Sequence, residues 1–322
     1  MSESPAVEIR DLSHHYGSQP ALQGVSMVVE RPEIFALLGP NGGGKTTLFR
    51  ILSTQIYPSN GTAAIMGYDV VHEPALARRN FGIVFQNPSL DGKLTAEENL
   101  MHQGHLHGYF GPELRRRIES ALESVRLESR GRDKVERFSG GMQRRVEVAK
   151  ALMHDPPLLL LDEPSTGLDP TSRRELWQNL ERLRDSGGVT SFLTTHLLEE
   201  ADKADRVAIL NKGRIVAMGT PEKLKATVGG EVLELQSVEP KKLQMAIAEK
   251  FGGEPTVIGS DLVRVETSRV SGEPGARLLV EIVEAFPGLV QSARVGKPTL
   301  EDVFVRCTGH RFAVDEVSSR AA

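Results

Sequence analysis

The sequence predicts an α/β fold: a mixed sheet with helices, an antiparallel β segment at its start, and a small α+β unit after it. Three observations lead there. A glycine-rich loop follows a short apolar strand, apolar runs of strand length recur between helical patterns, and the C-terminal third alternates strand and helix signals in the order β-α-β-β-α-β. At 322 residues the chain is long enough for one large core and a second, smaller one.

The elements follow in order. Residues 7–12 and 22–29 are apolar-rich and roughly alternating, and Tyr16-Gly17-Ser18-Gln19-Pro20 between them reads as a turn, so antiparallel strands are expected. Residues 34–38 form an apolar run that ends on Gly39-Pro40-Asn41-Gly42-Gly43-Gly44-Lys45-Thr46-Thr47, which satisfies G-x-x-x-x-G-K-[ST]. The pattern has a mechanism. Glycines without Cβ atoms let successive backbone N–H groups turn onto phosphate oxygens, and the helix starting near Lys45 adds its positive dipole end. Lys45 then reaches the β/γ-phosphates and Thr46 offers its hydroxyl to Mg²⁺. A plain glycine-rich hairpin is the competing reading, and the Lys-Thr pair after a strand argues against it.

Residues 158–161 and 190–195 are short and apolar enough for fully buried parallel strands. Asp162 and Glu163 follow the first of these directly, at the carboxyl end of a strand, where ligands sit in open α/β sheets. Asp162 is placed to hold Mg²⁺, directly or through water, and Glu163 to polarise an attacking water. His196 follows the second strand, and a neutral imidazole there is expected to donate to a γ-phosphate oxygen. Between the strands, Leu114, Ile118, Ala121, Leu122 and Val125 fall on one helix face, and Arg115, Arg116, Arg117 and Glu119 on the opposite, solvated one.

Composition narrows the setting. Lys and Arg total 39 against 43 Asp and Glu, a formal charge of −4, so there is no global electrostatic footprint for nucleic acid. The single Cys307 excludes an internal disulfide and a cysteine metal site. No apolar run approaches the roughly 18 residues of a membrane helix, and the first eight residues do not resemble a signal peptide. Contact with a membrane is therefore expected through a protein partner.

A phosphate loop by itself says only that a nucleotide binds. Across about the first 225 positions, however, the chain resembles the ATP-binding subunit of an ATP-binding cassette (ABC) transporter. Beyond the loop and the carboxylates, Phe138-Ser139-Gly140-Gly141-Met142-Gln143 resembles the family's signature sequence, and Ser165-Thr166-Gly167-Leu168-Asp169 its D-loop. Gln86 in Val84-Phe85-Gln86-Asn87-Pro88 resembles the Q-loop glutamine, His196 the switch histidine, and Tyr16 the aromatic residue that stacks on adenine. The signature also makes physical sense as an anion site, since Ser139 is a good N-cap and Gly140 and Gly141 expose backbone N–H groups.

The resemblance implies a P-loop NTPase of the ABC ATPase type, with an antiparallel β subdomain and a helical subdomain near 87–137. It implies catalysis by Glu163, His196, Gln86 and Lys45, and Mg²⁺ on Thr46, Gln86 and Asp162. It also implies ATP held by residues 39–47 and closed in trans by Ser139, Gly140 and Gly141 of a second copy, with Asp169 at that interface. Arg144 and Arg145 then read as structural or rim charges. Three departures stand out: Met142 where Gln is usual, Gly43 in place of Ala or Ser, and Pro32 where a Gly-Glu-Ile turn is typical. None removes a reacting group.

After Gly219-Thr220-Pro221 the motifs stop, and Gly229-Gly230 suggest a flexible boundary. Domains are expected at 1–225 and 231–309, with a frayed tail at 310–322. The second would be a ferredoxin-like βαββαβ unit with a regulatory or dimer-supporting role. Strands are expected over 231–238, 256–258, 262–266 and 289–295, and helices over 241–251 and 276–285. In Pro298-Thr299-Leu300-Glu301-Asp302-Val303-Phe304, Thr299 should cap a short helix with Leu300, Val303 and Phe304 packed down. This ending and Ser-Gly-Gly-Met both resemble the daunorubicin-resistance branch of exporter ATPases.

The resulting expectation is an ATP-hydrolysing exporter subunit. It would work as a homodimer with integral membrane permease subunits, peripheral on the cytoplasmic side of the cell membrane, with no nucleic acid partner. A cassette ATPase acting on ribosomes or nucleic acid, an ATP sensor that does not hydrolyse, an importer, and cargo other than drugs (lipid, polysaccharide, ion) are the alternatives.

Overall fold

A computed structural model describes residues 4–270 and 274–312. The chain divides into two compact units, residues 1–206 with 212–215, and residues 207–211 with 216–322. This division falls ahead of the break expected at 225–231. Gly229 and Gly230 lie in a packed turn of the second unit, where Glu231 N–H donates to Thr267 Oγ1 (2.9 Å) and Ser268 Oγ to the Gly229 carbonyl (3.2 Å).

In the first unit, β1 (Val7–Tyr16) and β2 (Gln19–Val29) form a longer hairpin than the alternation suggested. Tyr16 pairs with Gln19, so the turn is Gly17-Ser18 alone and Tyr16 ends a strand. β3 (Ile34–Leu38) is wholly buried and leads through the glycine loop into α1 (Lys45–Leu52). β4 (Asn60–Ile65) and β5 (Tyr68–Asp69) complete an antiparallel sheet in the order β2-β1-β4-β5. After α2 (Pro74–Arg79) and β6 (Phe81–Val84) come α3 (Ala96–Leu106) and α4 (Gly111–Ser124), within the segment expected to be helical.

Helix α3 starts at a capping box between Thr95 and Glu98, and α4 buries Leu114, Ile118, Ala121 and Leu122 as their spacing predicts. The opposite face of α4 is not uniformly solvated. The Arg117 guanidinium lies 4.0 Å from the centre of the Tyr109 ring and pairs with Glu113 at 2.7 Å, so its stem and charge pack where Arg115 and Arg116 face water.

The chain then runs through α5 (Gly140–Ala151), β7 (Leu158–Asp162), α6 (Pro170–Gly187), β8 (Thr190–Thr195) and the short α7 (Leu198–Ala201). Strands β3, β8, β7 and β6 lie side by side in that order, all parallel. Every residue of β3, β7 and β8 is buried, the pattern of a sheet covered on both faces. The register sets Leu38 beside Thr195 and Asp162 beside Thr194. The carboxyl ends of three strands therefore meet at one edge, and the loops that leave them share a site.

The second unit holds β9 (Arg206–Asn211), β10 (Arg214–Gly219) and α8 (Pro221–Val228), whose first and last strand residues straddle the division. It continues with β11 (Val232–Gln236), α9 (Pro240–Phe251), β12 (Thr256–Ile258), β13 (Leu262–Glu266), α10 (Gly275–Ala285), β14 (Ser292–Gly296) and α11 (Leu300–Thr308). The last four strands form an antiparallel sheet in the order β12-β13-β11-β14, the split βαβ arrangement expected, although β14 starts three residues later than 289.

One sheet face, with Leu233, Leu235, Val263 and Val265, packs on Leu243 and Ile247 of α9 and on Leu278 and Ile282 of α10. The alternate residues face α11. There Arg264 pairs with Asp302 (3.0 Å) and Glu266 (2.8 Å), while Asp302 also closes a capping box with Thr299. Leu300, Val303 and Phe304 are buried as expected. Residues 310–312 are not frayed: Phe304 stacks edge-on with Phe312 (4.8 Å) and His310 (5.3 Å). The rest of the expected tail lies outside the described residues.

Candidate functional site

The glycine loop is shaped from inside the protein. Gly44, at φ 108°, turns the chain into α1 in a conformation that side chains rarely adopt, and a pocket of about 300 Å³ opens beside it. Tyr16, Asn41, Gly42, Lys45, Thr46 and Glu163 are on its wall. Thr46 is exposed there, and Thr47, also on the wall, is buried. Gly39 and Gly43 use their N–H groups on Thr195 O (3.2 Å) and Pro40 O (3.1 Å), so they hold the loop's shape. The Gly43 carbonyl accepts from Gly213 N–H (2.9 Å), a brace with no motif to announce it.

Lys45 is 4 % exposed, and its ammonium donates to the carbonyls of Gly39 (2.8 Å) and Pro40 (3.1 Å). Burial pushes its pKa down, opposed by Glu163, whose carboxylate lies 3.5 Å away. An entering phosphate would replace these neutral carbonyl partners with anionic oxygens, adding ion pairing to the hydrogen bonds.

Glu163 is the meeting point. Its Oε2 lies 3.0 Å from His196 Nδ1, 3.5 Å from Gln86 Nε2 and 3.2 Å from Thr166 Oγ1, while Oε1 faces Lys45. Lys45, Gln86 and His196, which sequence reasoning drew from three separate segments, thus converge on one carboxylate. Its neighbour Asp162 is 6 % exposed; burial pushes its pKa up, and a hydrogen bond from Thr194 pulls it back.

One expected role changes. A carboxylate only accepts, so His196 Nδ1 must carry the proton of this contact. The Nε2 of a neutral ring is then an acceptor, and donation to a phosphate requires either the imidazolium or a ring that has left Glu163.

Among the described residues no cluster of three or more His, Cys, Asp or Glu could hold a metal ion by itself. Mg²⁺ takes one or two protein oxygens and completes its shell with water and phosphate. Thr46, Asp162 and the Gln86 side-chain carbonyl are oxygen donors of that kind.

The signature segment stands apart. Ser139 caps α5 by accepting from Met142 N–H (3.2 Å), and Ser139 and Gly140 are exposed, but Gly141 is buried. A Cβ on Gly141 would lie 2.2 Å from Ser172 Oγ of α6, so this glycine is also what lets α5 and α6 cross closely. None of the three borders the loop pocket. Asp169 caps α6, accepting from Ser172 Oγ (2.6 Å) and from Thr171 and Ser172 N–H (3.0 and 3.1 Å), and these bonds hold its carboxyl below the usual range.

Other positioning groups escaped the sequence reading. On one face of α5, Arg144 donates to the carbonyls of Phe85 (2.6 Å) and Gln86 (2.9 Å), Glu147 accepts from Ser89 N–H (2.6 Å), and Lys150 donates to Ser89 O (3.0 Å). The three-residue spacing was visible; its target was not. Arg145 pairs with Glu175 (3.3 Å). The buried Glu200 accepts from Thr195 Oγ1 (2.7 Å) and Ser165 Oγ, tying the D-loop segment to the strand end before His196.

The sequence profile of the ABC transporter family matches residues 22–166. Over 97 % of its length, and 99 % of the relative's, the chain is 36 % identical to a daunorubicin resistance ATP-binding protein of Streptomyces coeruleorubidus. It belongs to the ATP-binding proteins of ABC transporters. Another member, the Nod factor export ATP-binding protein I of Rhizobium meliloti, is also 36 % identical, over 96 % of this chain and 90 % of that one. Among solved structures, a dimeric ATP-binding cassette in a post-hydrolysis state with ADP and Pi superimposes with a TM-score of 0.58 at 28 % identity, over 66 % of this chain and 98 % of the other. As a member of this family, in the branch of the daunorubicin resistance proteins, the chain is an ATP-binding protein and an ATPase.

Proposed function

We propose that this ABC ATPase powers an exporter. Two copies would close on two ATP molecules, each held by the phosphate loop of one copy and by Ser139, Gly140 and Gly141 of the other, and would pass that closure to separate integral membrane permease subunits on the cytoplasmic side of the cell membrane. The observation that carries the reading is the convergence of Lys45, Gln86 and His196 on Glu163 beside a pocket walled by the phosphate loop. No helix among the described residues is long and apolar enough to cross a membrane, which agrees with a permease on another chain.

In the proposed mechanism, Lys45 holds the β/γ-phosphates, and Tyr16 stacks on the base. Glu163 orients and polarises the attacking water, the step in which positioning lowers the barrier to an in-line displacement. Thr46, Asp162 and Gln86 would hold Mg²⁺, which neutralises phosphate charge when bound. His196 keeps Glu163 in place and, as imidazolium or after rotation, faces the γ-phosphate. Residues 1–225 would be the nucleotide-binding domain, with the helical subdomain near 87–137 facing the permease, and residues 231–309 a regulatory or dimer-supporting domain. Similarity to the daunorubicin resistance and Nod factor export proteins favours export, with a drug- or antibiotic-like molecule as the cargo.

The test is co-purification with a candidate permease, sought first among membrane proteins encoded by neighbouring genes. ATP turnover by the assembled complex that Glu163→Gln lowers by about a hundredfold or more, together with retention in the membrane fraction, supports the reading. Salt-sensitive association with ribosomes, with no recovery in membranes, would overturn it in favour of a soluble cassette.

A further inference from the structure

We propose that Thr194 is a positioning residue for hydrolysis, its single hydroxyl fixing the two adjacent acidic residues, Asp162 and Glu163, in working geometry. The inference rests on the assignment of Glu163 as the water-orienting group.

Thr194 is the fifth residue of β8, fully buried among apolar neighbours and set beside Asp162 by the parallel register. A hydroxyl in such a place is costly unless it is hydrogen-bonded. This one works in both directions: it donates to Asp162 Oδ1 at 2.6 Å and accepts from the Glu163 backbone N–H at 2.9 Å. It is thus bonded to the side chain of one acid and to the main chain of the next.

The second bond has the larger consequence. Glu163 has φ 43°, in the left-handed region that non-glycine residues seldom occupy, and it precedes Pro164, which restricts it further. Backbone strain of this kind persists only where the surroundings over-determine it, and it concentrates at functional sites. The turn swings the Glu163 side chain off the line of β7 and toward Lys45, Gln86 and His196. Thr194, on a rigid interior strand, supplies the acceptor that pins the strained N–H. Without it that N–H has lost its partner, the backbone has reason to relax, and the carboxylate shifts away from the water it should hold. A misplacement on the order of 1 Å is enough to cost about a hundredfold in rate.

The adjacent hydroxyl has a different task. Thr195 Oγ1 donates to Glu200 and accepts from Leu197 N–H (3.0 Å), so it shapes the segment that carries His196. The two threonines look equivalent in the sequence and divide the work between the acids and the histidine.

The test uses the full-length chain and Mg·ATP, comparing Thr194→Val, which keeps the shape and removes the hydroxyl, with Thr194→Ser, which keeps the hydroxyl. Thr194→Val should lower kcat by about ten- to a hundredfold with KM for ATP within about twofold, and Thr194→Ser should stay within about threefold of the parent. In a Glu163→Gln background Thr194→Val should cost little more, because the two act as a unit. Wild-type turnover in Thr194→Val, equal damage in both variants, or a full additive loss on top of Glu163→Gln would each overturn the proposal. If Glu163→Gln itself hydrolyses normally, the assignment of Glu163 fails first, and that outcome is read before the Thr194 variants.

Discussion

The phosphate-loop region and the signature region both present a helix start to solvent, yet they are built on opposite plans. Around Lys45 the ammonium and Asp162 are buried, charges are opposed, and groups from three other segments meet on Glu163. Around Ser139 the surface is exposed, the capping bond is local, and the remainder of α5 turns inward to Ser172 and to residues 85–89. The first region has the groups proposed to react assembled within one chain; the second offers a surface and a lever. This asymmetry is what a half-site should look like, because chemistry needs preorganised charge while a reversible closing contact needs accessibility.

The largest expected effect falls on the assembled half. Glu163→Gln keeps the side chain's size and removes the charge that four neighbours face, so turnover should drop by about a hundredfold or more while ATP binding persists. A single-turnover assay beside equilibrium nucleotide binding separates the two. On the exposed half, Ser139→Arg should leave ATP affinity of the isolated chain within about twofold but remove dimer closure and most turnover, roughly tenfold or more. Sedimentation with a slowly hydrolysed nucleotide reads the closure, and an unchanged dimer would break the comparison.

Smaller effects probe how α5 links the halves. Arg144→Met leaves the carbonyls of Phe85 and Gln86 without their donor and should cost about 1–3 kcal/mol in denaturant unfolding. Gly141→Ala drives a methyl into Ser172 and should cost a similar 1–3 kcal/mol, with ATP binding little affected.

The smallest effect is a pH dependence at the far end of α5. His154 stacks on His107 at 4.2 Å, and burial, with the neighbouring imidazole, holds its pKa near 4 against an ordinary 6.5. Between those values the unfolded chain binds a proton that the native ring refuses. This contribution to stability is therefore intact above about pH 6.5 and is lost as pH falls toward 4. Melting temperature against pH should fall through that window, and less steeply for His154→Gln.

Much of the site was legible because its residues are neighbours in sequence. A phosphate loop is a local object, made by glycines, a lysine and a threonine within nine positions, and the carboxylates and His196 announce themselves by following apolar strands. The C-terminal order was legible for the same reason, since strand and helix periodicities are local. The strands β4, β5, β6, β9 and β10 were not singled out: β5 and β6 are short, and Gly61 and Gly82 interrupt β4 and β6 where an added Cβ would meet backbone carbonyls at 2.3 and 2.2 Å.

By itself, then, the sequence determined which groups can do chemistry here, a lysine, two acids, a glutamine and a histidine, together with the order of the elements that carry them. The tertiary structure decided their partners. It set Thr194 beside Asp162, aimed Arg144 at Gln86, turned Gly141 inward, and turned the His196 Nδ1 onto Glu163. The reason is physical: strand register and helix crossing bring together residues tens of positions apart, and periodicity along a chain carries no record of what a buried polar side chain will meet.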